Sequence, residues 1–259
     1  MQPWARKARP GAPSIEIELR YEMEVEEIPD GPLTLALEDP TRFEVRLNDR
    51  VQATENVCGW WVDPAVQLLP LDTAAVRLGK NILTLRGVFT EDADLEAMFI
   101  LGDFNVTLDG TRTRIRKAQA PGFGDWTTKG LPFYAGSVAF RRTIEPHPQD
   151  GGRVFVEVPD FRGACVRVLV DGEQAGIIGW SPHEVEITGL LSGKASAELT
   201  VDVVSHRRNA FGPLHHMQKW PRWTGPGEFS PPADKWQDEY NLVPVGCLGP
   251  PRPRYRKMG

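Results

Sequence analysis

An internal repeat runs through this sequence, from Phe43 to Leu85 in its first copy and from Cys165 to Val201 in its second. Both copies contain the same elements in the same order: an alternating run, a turn dipeptide (Asn48-Asp49 and Asp171-Gly172), a Gly-Trp pair (Gly59-Trp60 and Gly179-Trp180) and a Gly-Lys pair (Gly79-Lys80 and Gly193-Lys194) before a new alternating run. Asn, Asp and Gly tolerate the positive φ that two-residue hairpin turns require. A repeated series of elements indicates one structural unit used twice. We therefore expect two domains of the same fold in tandem.

Apolar and polar residues alternate in many short runs, which is the pattern of strands with one buried face. The runs lie at residues 15–21, 43–47, 82–85, 154–158, 166–170, 185–187 and 199–203. The 25 glycines and 23 prolines interrupt the chain too often for long helices, because proline lacks a backbone donor and glycine weakens helix interiors. The sequence therefore predicts an all-β protein made of antiparallel β-sandwiches.

The repeat and the spacing of Gly and Pro divide the chain into five segments. Residues 1–14 are expected to be a flexible tail, residues 15–104 the first sandwich and residues 131–216 the second. Residues 105–130, rich in Gly, Pro and aromatic side chains, are predicted to be a linker packed between the domains. Residues 217–259 are predicted to be an irregular, Pro-rich C-terminal extension that wraps across the surface, since its aromatic side chains would otherwise be exposed.

Charge and composition exclude several classes of function. A formal charge of −5 and a pI near 5.6 argue against a nucleic-acid partner, which requires clustered Lys and Arg. No apolar stretch approaches the ~20 residues of a membrane helix. No apolar run follows the basic N-terminus, so the sequence predicts a soluble chain without a signal peptide and leaves its location open. Cys58, Cys165 and Cys247 are odd in number and widely spaced, which favours free thiols over disulfides or a zinc site.

Several stretches of the second half resemble the sugar-binding domain of glycoside hydrolase family 2 and related bacterial glycosidases. They are Leu131–Ile144, Val170–Gly172, Gly179–Leu191 and Arg207–His216, with Asp238–Pro250 similar to the closing segment of such proteins. The resemblance implies a jelly-roll, galactose-binding-like sandwich, usually non-catalytic and attached to a catalytic domain. The repeat extends this fold to residues 15–104. No stretch has the ~250 residues that a catalytic (β/α)₈ barrel needs in addition.

The resemblance implies two partners, a carbohydrate and a catalytic glycosidase domain. It also implies calcium held by loop oxygens. Sugar sites combine flat aromatic rings with a few planar polar groups. The aromatic candidates are Trp60, Trp61, Trp126 and Tyr134. Adjacent strand residues point to opposite faces, so one ring of the Trp60-Trp61 pair can be in the core while the other meets solvent or ligand. Core packing is the alternative for every large ring.

A polar cluster follows the last alternating run and contains Arg207, Arg208, Asn209 and His215, next to His216. It is a hydroxyl-binding or interdomain site in one interpretation and a hydrogen-bonded anchor of the loop in the other. The acids set among apolar or aromatic residues are Glu96, Asp103, Asp63 and Asp125, of which Glu96 and Asp103 are the candidate catalytic pair. Hydrolysis of a glycosidic bond requires two carboxylates about 5–10 Å apart, whereas most such carboxylates only anchor strands and turns.

Three hypotheses follow. The leading one is a non-catalytic carbohydrate-binding accessory module of a glycoside hydrolase. The second is a structural module that supports a catalytic domain, in which the aromatic rings would be buried against the partner. The third is a cryptic glycosidase acting on plant or microbial polysaccharide. No other hydrolase, metalloprotease or nucleotide-binding motif is present in the sequence.

Overall fold

The computed structural model describes residue 9, residues 11–145 and residues 152–257, so residues 1–8 and 10 of the predicted flexible tail lie outside it. The chain forms two compact units. The first comprises residues up to 107 with 112–119, and the second comprises 108–111 with the residues from 120 onward. Strands dominate both, and the predicted all-β class of antiparallel sandwiches is confirmed. In the described residues, no helix is both long enough and apolar enough to cross a membrane.

The first unit contains two sheets. Its strands are β1 (Ser14–Val25), β2 (Leu33–Glu38), β3 (Phe43–Leu47), β4 (Arg50–Val51), β5 (Trp60–Trp61), β6 (Asp63–Leu71), β7 (Gly79–Thr90), β8 (Phe99–Gly102), β9 (Phe104–Asp109) and β10 (Arg112–Lys117), with 3-10 turns at Pro40–Arg42 and Thr73–Ala75. Six strands form one sheet in the order β4-β3-β7-β1-β10-β9, and the other sheet has the order β5-β6-β2-β8. The pairing of β1 with β10 is parallel, whereas β1 and β7 are antiparallel over their full length.

Leucine dominates the core of the first unit. Alternate residues of β2, Leu33, Leu35 and Leu37, are buried together with residues of β3, β6 and β7. A strand with a period of two presents one face to the core and one face outward, so the residues between these leucines point away from the core.

The second unit is also built of strands, which form three sheets. Its strands are β11 (Ser137–Ile144), β12 (Arg153–Glu157), β13 (Phe161–Arg162), β14 (Cys165–Val170), β15 (Glu173–Ile178), β16 (Glu184–Glu186), β17 (Ala197–Val204), β18 (Gly246–Cys247) and β19 (Arg252–Arg256); the short helix α1 spans Arg208–Phe211, and 3-10 turns lie at Trp126–Thr128, Thr188–Leu191, Pro226–Glu228 and Ala233–Lys235. The sheets have the orders β11-β17-β14-β15, β16-β12-β19 and β13-β18. Valine is the commonest side chain of the core, which β12, β14 and β17 supply for the most part.

The internal repeat corresponds to matching sheets. The order β4-β3-β7-β1 in the first unit is repeated as β15-β14-β17-β11 in the second. At the hairpin turns, Asn48 and Asp171 both have positive φ, at 53° and 50°. The backbone N–H of Asn48 donates to the Ile82 carbonyl, and its Oδ1 accepts from the Ile82 N–H; Asp171 and Glu198 repeat both bonds. The repeat therefore extends to individual hydrogen bonds.

Two segments differ from what the sequence predicts. Part of the expected linker, residues 105–130, forms the end of β9 and all of β10, and β10 pairs with β1. The expected irregular extension, residues 217–259, is mostly irregular, but it ends in β18 and β19, and β19 pairs with β12 over Arg252–Arg256. The sequence pattern missed β19 because this strand is charged and has no apolar alternation. Its Arg254 and Arg256 form ion pairs with Glu157 and Glu184.

Candidate functional site

The structure places the predicted ligand residues in both units. In the first unit, Trp60 is 58% exposed and Trp61 is half-buried. Neither ring belongs to the leucine core. Trp61 meets Phe99 edge to face, with ring centroids 5.1 Å apart and an interplanar angle of 64°. Both tryptophans therefore lie outside the core, although their side chains are on adjacent strand positions.

Trp126 is not available to a ligand. Its side chain is completely buried in the valine core of the second unit, and its backbone N–H donates to the Val245 carbonyl at 2.7 Å. Asp125 begins this turn, since its Oδ1 accepts from the backbone N–H groups of Thr127 and Val245. The aromatic ring that the sequence suggests as a sugar platform is thus part of the packing. Tyr134, in the next turn, is 41% exposed and donates its hydroxyl to the Ser137 carbonyl at 3.1 Å.

Asn209 is an anchor of the loop rather than a ligand residue. Its Nδ2 donates to the Val243 carbonyl at 2.8 Å, and its Oδ1 accepts from the Val243 N–H at 3.0 Å. The side chain is 2% exposed, so its Nδ2 and Oδ1 both form their hydrogen bonds inside the protein. Arg207, one residue before helix α1, is exposed, and its carbonyl accepts from Ala210 and Phe211.

Arg208 is half-buried without a carboxylate partner in the described part of the chain. Its Nη2 donates to the Lys219 carbonyl at 3.3 Å, while Nη1 is buried without a hydrogen bond and packs beside Gly212. Burial lowers the pKa of this guanidinium. The guanidinium is therefore partly shielded from water and is not paired with a carboxylate of the described residues.

His215 joins three aromatic rings, and we call Phe133, His215, Trp236 and Tyr240 the aromatic cluster. The His215 and Trp236 rings stack with centroids 4.7 Å apart and an interplanar angle of 19°. Tyr240 lies 5.1 Å from His215 and 5.0 Å from Phe133. Offset and edge-on contacts of this kind are the preferred arrangements of aromatic pairs. Trp236 remains 40% exposed, so the stack does not bury its indole completely.

The polar atoms of the stacked rings are fixed. Trp236 Nε1 donates to Asp238 Oδ1 at 2.9 Å. His215 Nδ1 lies 3.2 Å from the Gln237 carbonyl, which can only accept, so the neutral ring carries its proton on Nδ1 and presents Nε2 as an acceptor. The backbone N–H of Gln237 donates to the His215 carbonyl at 2.9 Å, which ties the two segments together.

His216 holds the segment in place from inside. It is 1% exposed, and its Nδ1 accepts from the Gln218 N–H at 3.0 Å. Its Nε2 therefore carries the proton and faces Glu228 Oε2 at 2.9 Å. Asn241 donates to the His216 carbonyl at 2.5 Å. The adjacent histidines thus have different roles, because His216 is a structural anchor and His215 is a half-exposed ring.

Several exposed aromatic residues were not among the predicted ligand residues. They are Trp180 (83% exposed), Trp220 (69%), Trp223 (77%), Phe229 (48%) and Trp236 (40%); the half-buried rings of Phe133 and Tyr240 in the aromatic cluster were not predicted either. The Gly-Trp pair of the repeat is the signal that could have identified Trp180, since its counterpart Trp60 is exposed as well. The others lie in segments without periodicity, where the sequence gives no indication of which ring is buried.

The two candidate catalytic acids are not brought together. Glu96 is exposed and precedes β8, whereas Asp103 is exposed and directly follows that strand, so they lie at its opposite ends. Asp103 instead lies beside Gly31. For calcium, no group of three or more His, Cys, Asp or Glu side chains in the described residues is arranged to hold a metal ion.

No protein-family model and no curated protein matches this sequence. Among solved structures, a rhamnosidase from Novosphingobium sp. PP1Y is similar at 14% identity with a TM-score of 0.35, covering 96% of this chain and 24% of that one. An alpha-L-rhamnosidase from Streptomyces avermitilis is similar at 16% identity and a TM-score of 0.28, covering 74% and 22%. A lectin from Pleurotus ostreatus reaches 10% and 0.21, covering 74% and 68%. This chain thus spans about a quarter of the length of the rhamnosidases, and these weak likenesses carry no conclusion about its activity.

Proposed function

We propose that this chain is a carbohydrate-binding module and that the aromatic cluster of the second unit is its sugar site. The observation that carries the proposal is the stack of His215 on Trp236, whose indole is held by the stack and remains 40% exposed. A sugar ring has a flat apolar face that packs on such a surface. Because the stack and the two ring hydrogen bonds already fix the rings, little side-chain entropy is lost when a ligand binds.

Polar groups border this platform. His215 Nε2 is an acceptor, and Asp238 is held against the edge of the indole by its bond from Nε1. Tyr134, with its hydroxyl, lies in the segment that leads into β11. The exposed side chain of Arg207 lies in the segment that follows β17. Donors and acceptors of this type fix the orientation of a sugar by binding its hydroxyl groups.

The accessory role is part of the proposal. It is supported by the sequence resemblance of residues 131–216 to a sugar-binding domain that is usually attached to a catalytic domain. In this proposal the chain binds polysaccharide, does not itself hydrolyse it, and has a catalytic glycosidase domain as its partner. Glu96 and Asp103, at opposite ends of one strand, give no support to hydrolysis by this chain.

The direct test is a glycan array followed by calorimetric titration of the best oligosaccharide. We expect Trp236→Ala to weaken binding about tenfold, because an aromatic contact is worth ~1 kcal/mol beyond its buried area. His215→Ala should weaken binding less, since it removes the support of the ring and one acceptor. The matched control is Trp180→Ala, which removes a more exposed ring of the same unit. Equal losses in both tryptophan variants, or no binding of any glycan, would contradict the proposal.

A second candidate function, a module that only supports a catalytic domain, is favoured by the exposed side chains between residues 217 and 229. Met217, Trp220, Trp223 and Phe229 are between 48% and 77% exposed, and contiguous exposed apolar residues mark surfaces that contact other proteins. The double variant Trp220→Ala/Trp223→Ala distinguishes the two functions. Unchanged sugar binding together with lost association with a glycosidase domain would assign these residues to a protein interface.

A third measurement addresses hydrolysis. The full chain is incubated with plant and microbial polysaccharides, and released reducing sugar is measured for the protein and for its Glu96→Gln and Asp103→Asn variants. We expect no release above the level of the heat-denatured protein. Release that either variant abolishes would establish a glycosidase and reject the accessory role.

A further inference from the structure

The outer face of the sheet β11-β17-β14-β15 has a polar centre. On β17, positions 199, 201 and 203 belong to the valine core, so Thr200 and Asp202 point to the other face of the sheet. Residues opposite each other in antiparallel strands lie on the same face. Asp202 is opposite Ala139 on β11 and Arg167 on β14. Thr200 is opposite Arg141 on β11. We call Arg141, Arg167, Thr200 and Asp202 the polar site.

Exposed residues flank the centre of the polar site on both sides. Ala139 and Arg141 on one side and Arg167 on the other are exposed. Thr200 and Asp202 between them are only 8% and 5% exposed. Short side chains on a central strand lie lower than the long side chains of the strands beside it. Thr200 and Asp202 therefore form the floor of a shallow groove, and exposed residues form its two edges.

Asp202 uses only one of its two carboxylate oxygens. Oδ2 accepts from Nε of Arg167 at 2.8 Å and also from Nη2 of the same guanidinium. The side chain is 7% exposed, and Oδ1 is buried without a hydrogen-bond partner among the described residues. A buried carboxylate oxygen that lacks a donor is more unfavourable than a neutral group in the same position. The floor of the groove therefore holds an acceptor for a donor that the described chain does not supply.

The two arginines have donors that lack acceptors. A guanidinium has five N–H groups and accepts no hydrogen bond. Arg167 uses Nε and Nη2 on Asp202, and its Nη1 forms no bond within the described residues. Arg141 is exposed and forms neither an ion pair nor a hydrogen bond in the part of the chain that the structure describes. A second carboxylate on this face, that of Glu198, is exposed and lies opposite Thr143. The polar site thus favours a ligand with several acceptors and at least one donor.

We propose that the polar site binds a uronic acid residue of an acidic oligosaccharide, with the sugar carboxylate on Arg141 and a ring hydroxyl donating to Asp202 Oδ1. A planar guanidinium binds a carboxylate through two parallel N–H bonds. Because Oδ1 is buried, a neighbouring side chain has to move when the ligand binds, and no ion pair holds Arg141 in place. A neutral sugar would supply the hydroxyl and leave Arg141 unpaired. The polar site does not depend on sugar binding at Trp236.

The probe is trigalacturonate, compared with a neutral galactose trimer of the same linkage. Binding to the full chain is measured by calorimetry at neutral pH and low salt. We expect trigalacturonate to bind about tenfold or more tightly, because only its carboxylates pair with Arg141. Arg141→Ala should weaken binding about fivefold or more. The matched control is Arg142→Ala, which removes the same charge from the next residue of β11. Arg142 is exposed as well and is opposite Leu199, on the other face of the sheet, so this control should leave binding unchanged.

A second matched pair separates the hydrogen bond to Asp202 from the attraction of an anion to positive charge. Asp202→Asn and Glu198→Gln each remove one negative charge from the same face of β17. Charge alone would make both variants bind trigalacturonate more tightly. We expect Glu198→Gln to bind at least as tightly as the unchanged protein, and Asp202→Asn to bind about fivefold or more weakly, because the bond from the sugar hydroxyl to a charged oxygen is lost.

Two further measurements complete the test. Trp236→Ala should leave the binding of trigalacturonate unchanged, which distinguishes the polar site from the aromatic cluster. Circular dichroism on all variants confirms that they fold. Five outcomes would overturn the proposal: equal binding of the two trimers, equal losses in Arg141→Ala and Arg142→Ala, undiminished binding in Asp202→Asn, binding of triglutamate as tight as that of trigalacturonate, or no binding of trigalacturonate.

Discussion

Asn48 and Asp171 make the same two hydrogen bonds in their respective units, although one is an amide and the other a carboxylate. The remaining contacts of the two side chains differ. Asn48 also donates from Nδ2 to the Ala75 carbonyl and to Asn81 Oδ1, at 2.7 and 2.9 Å. The second carboxylate oxygen of Asp171 binds Lys194 Nζ at 2.6 Å. The two units therefore share the hydrogen bonds that form the turn, whereas the additional side-chain partners of Asn48 and Asp171 differ.

Exchanging the two residue types should have unequal effects. In Asn48→Asp, a carboxylate oxygen would face the carbonyl of Ala75 and the Oδ1 of Asn81, two acceptors that would lose their donor. We expect a loss of about 1–3 kcal/mol in the free energy of unfolding of the first unit. Asp171→Asn keeps the bond from Glu198 and loses only an exposed ion pair, so it should destabilise much less. Urea denaturation of both variants measures this, and equal losses would contradict the asymmetry.

The ion pair of Asp171 with Lys194 predicts that the stability of the protein depends on pH. The side chain of Lys194 and the N–H of Glu198 lower the pKa of Asp171. A carboxyl whose pKa is lowered in the folded state adds stability above its ordinary range and loses it as the pH falls through the lowered value. Asparagine does not titrate. We therefore expect the difference in thermal stability between the protein and Asp171→Asn to be present at neutral pH and to vanish in acid. A difference that stays constant with pH would exclude the ion pair as its cause.

The sequence predicts the sheets well where apolar alternation is present, as in β3, β7, β14 and β17. It fails where pairing depends on other forces. β19 pairs with β12 and its arginines form ion pairs with Glu157 and Glu184, and a charged run of this kind has no hydrophobic period. β10 pairs with β1, far away in sequence, and its single buried apolar residue, Ile115, gives too weak a pattern to recognise.

The candidate site is less predictable from sequence than the fold, because burial of a single ring depends on tertiary contacts. Trp126 and Trp236 both lie in irregular segments rich in Gly and Pro. Trp126 is buried among strands that all follow it in the sequence, whereas Trp236 stacks on His215 and remains 40% exposed. The position of His215 in the cluster follows from a backbone bridge between residues 216 and 236, which no local pattern indicates.

Asn209 should be important for stability and not for ligand binding. Asn209→Ala leaves the N–H and the carbonyl of Val243 without partners inside the protein, and we expect a loss of about 1–3 kcal/mol. Arg207→Ala, at an exposed position two residues earlier, should change stability by less than about 0.5 kcal/mol. Chemical denaturation of the two variants provides the comparison. A stable Asn209→Ala protein that loses sugar binding would instead return this residue to the site.

The three cysteines should differ in reactivity with a thiol reagent. Cys58 is exposed, while Cys247 is completely buried. Burial, with a smaller effect of Asp160, raises the pKa of the Cys247 thiol to about 11, so almost no thiolate is present at neutral pH. We expect Cys58 to react first and Cys247 to react only in denaturant. Loss of the fast phase in Cys58→Ser would assign it, and rapid labelling that survives this substitution would show that a second thiol is accessible.

Two substitutions of Trp126 separate the contribution of its packing to stability from that of its indole N–H. Its indole fills the core of the second unit, yet Nε1 has no hydrogen-bond partner in the described residues. Trp126→Ala should cost about 3–5 kcal/mol because it leaves a large cavity. Trp126→Phe leaves a smaller cavity and also removes a buried donor without a partner, whose burial is unfavourable by about 1–3 kcal/mol. We therefore expect the phenylalanine variant to be destabilised by less than half as much as the alanine variant, measured by urea denaturation.

Trp180→Phe and Trp180→Ala, at an exposed ring of the same unit, should both change stability by less than about 0.5 kcal/mol. Similar losses for the two Trp126 variants would mean that the indole N–H is bound in solution.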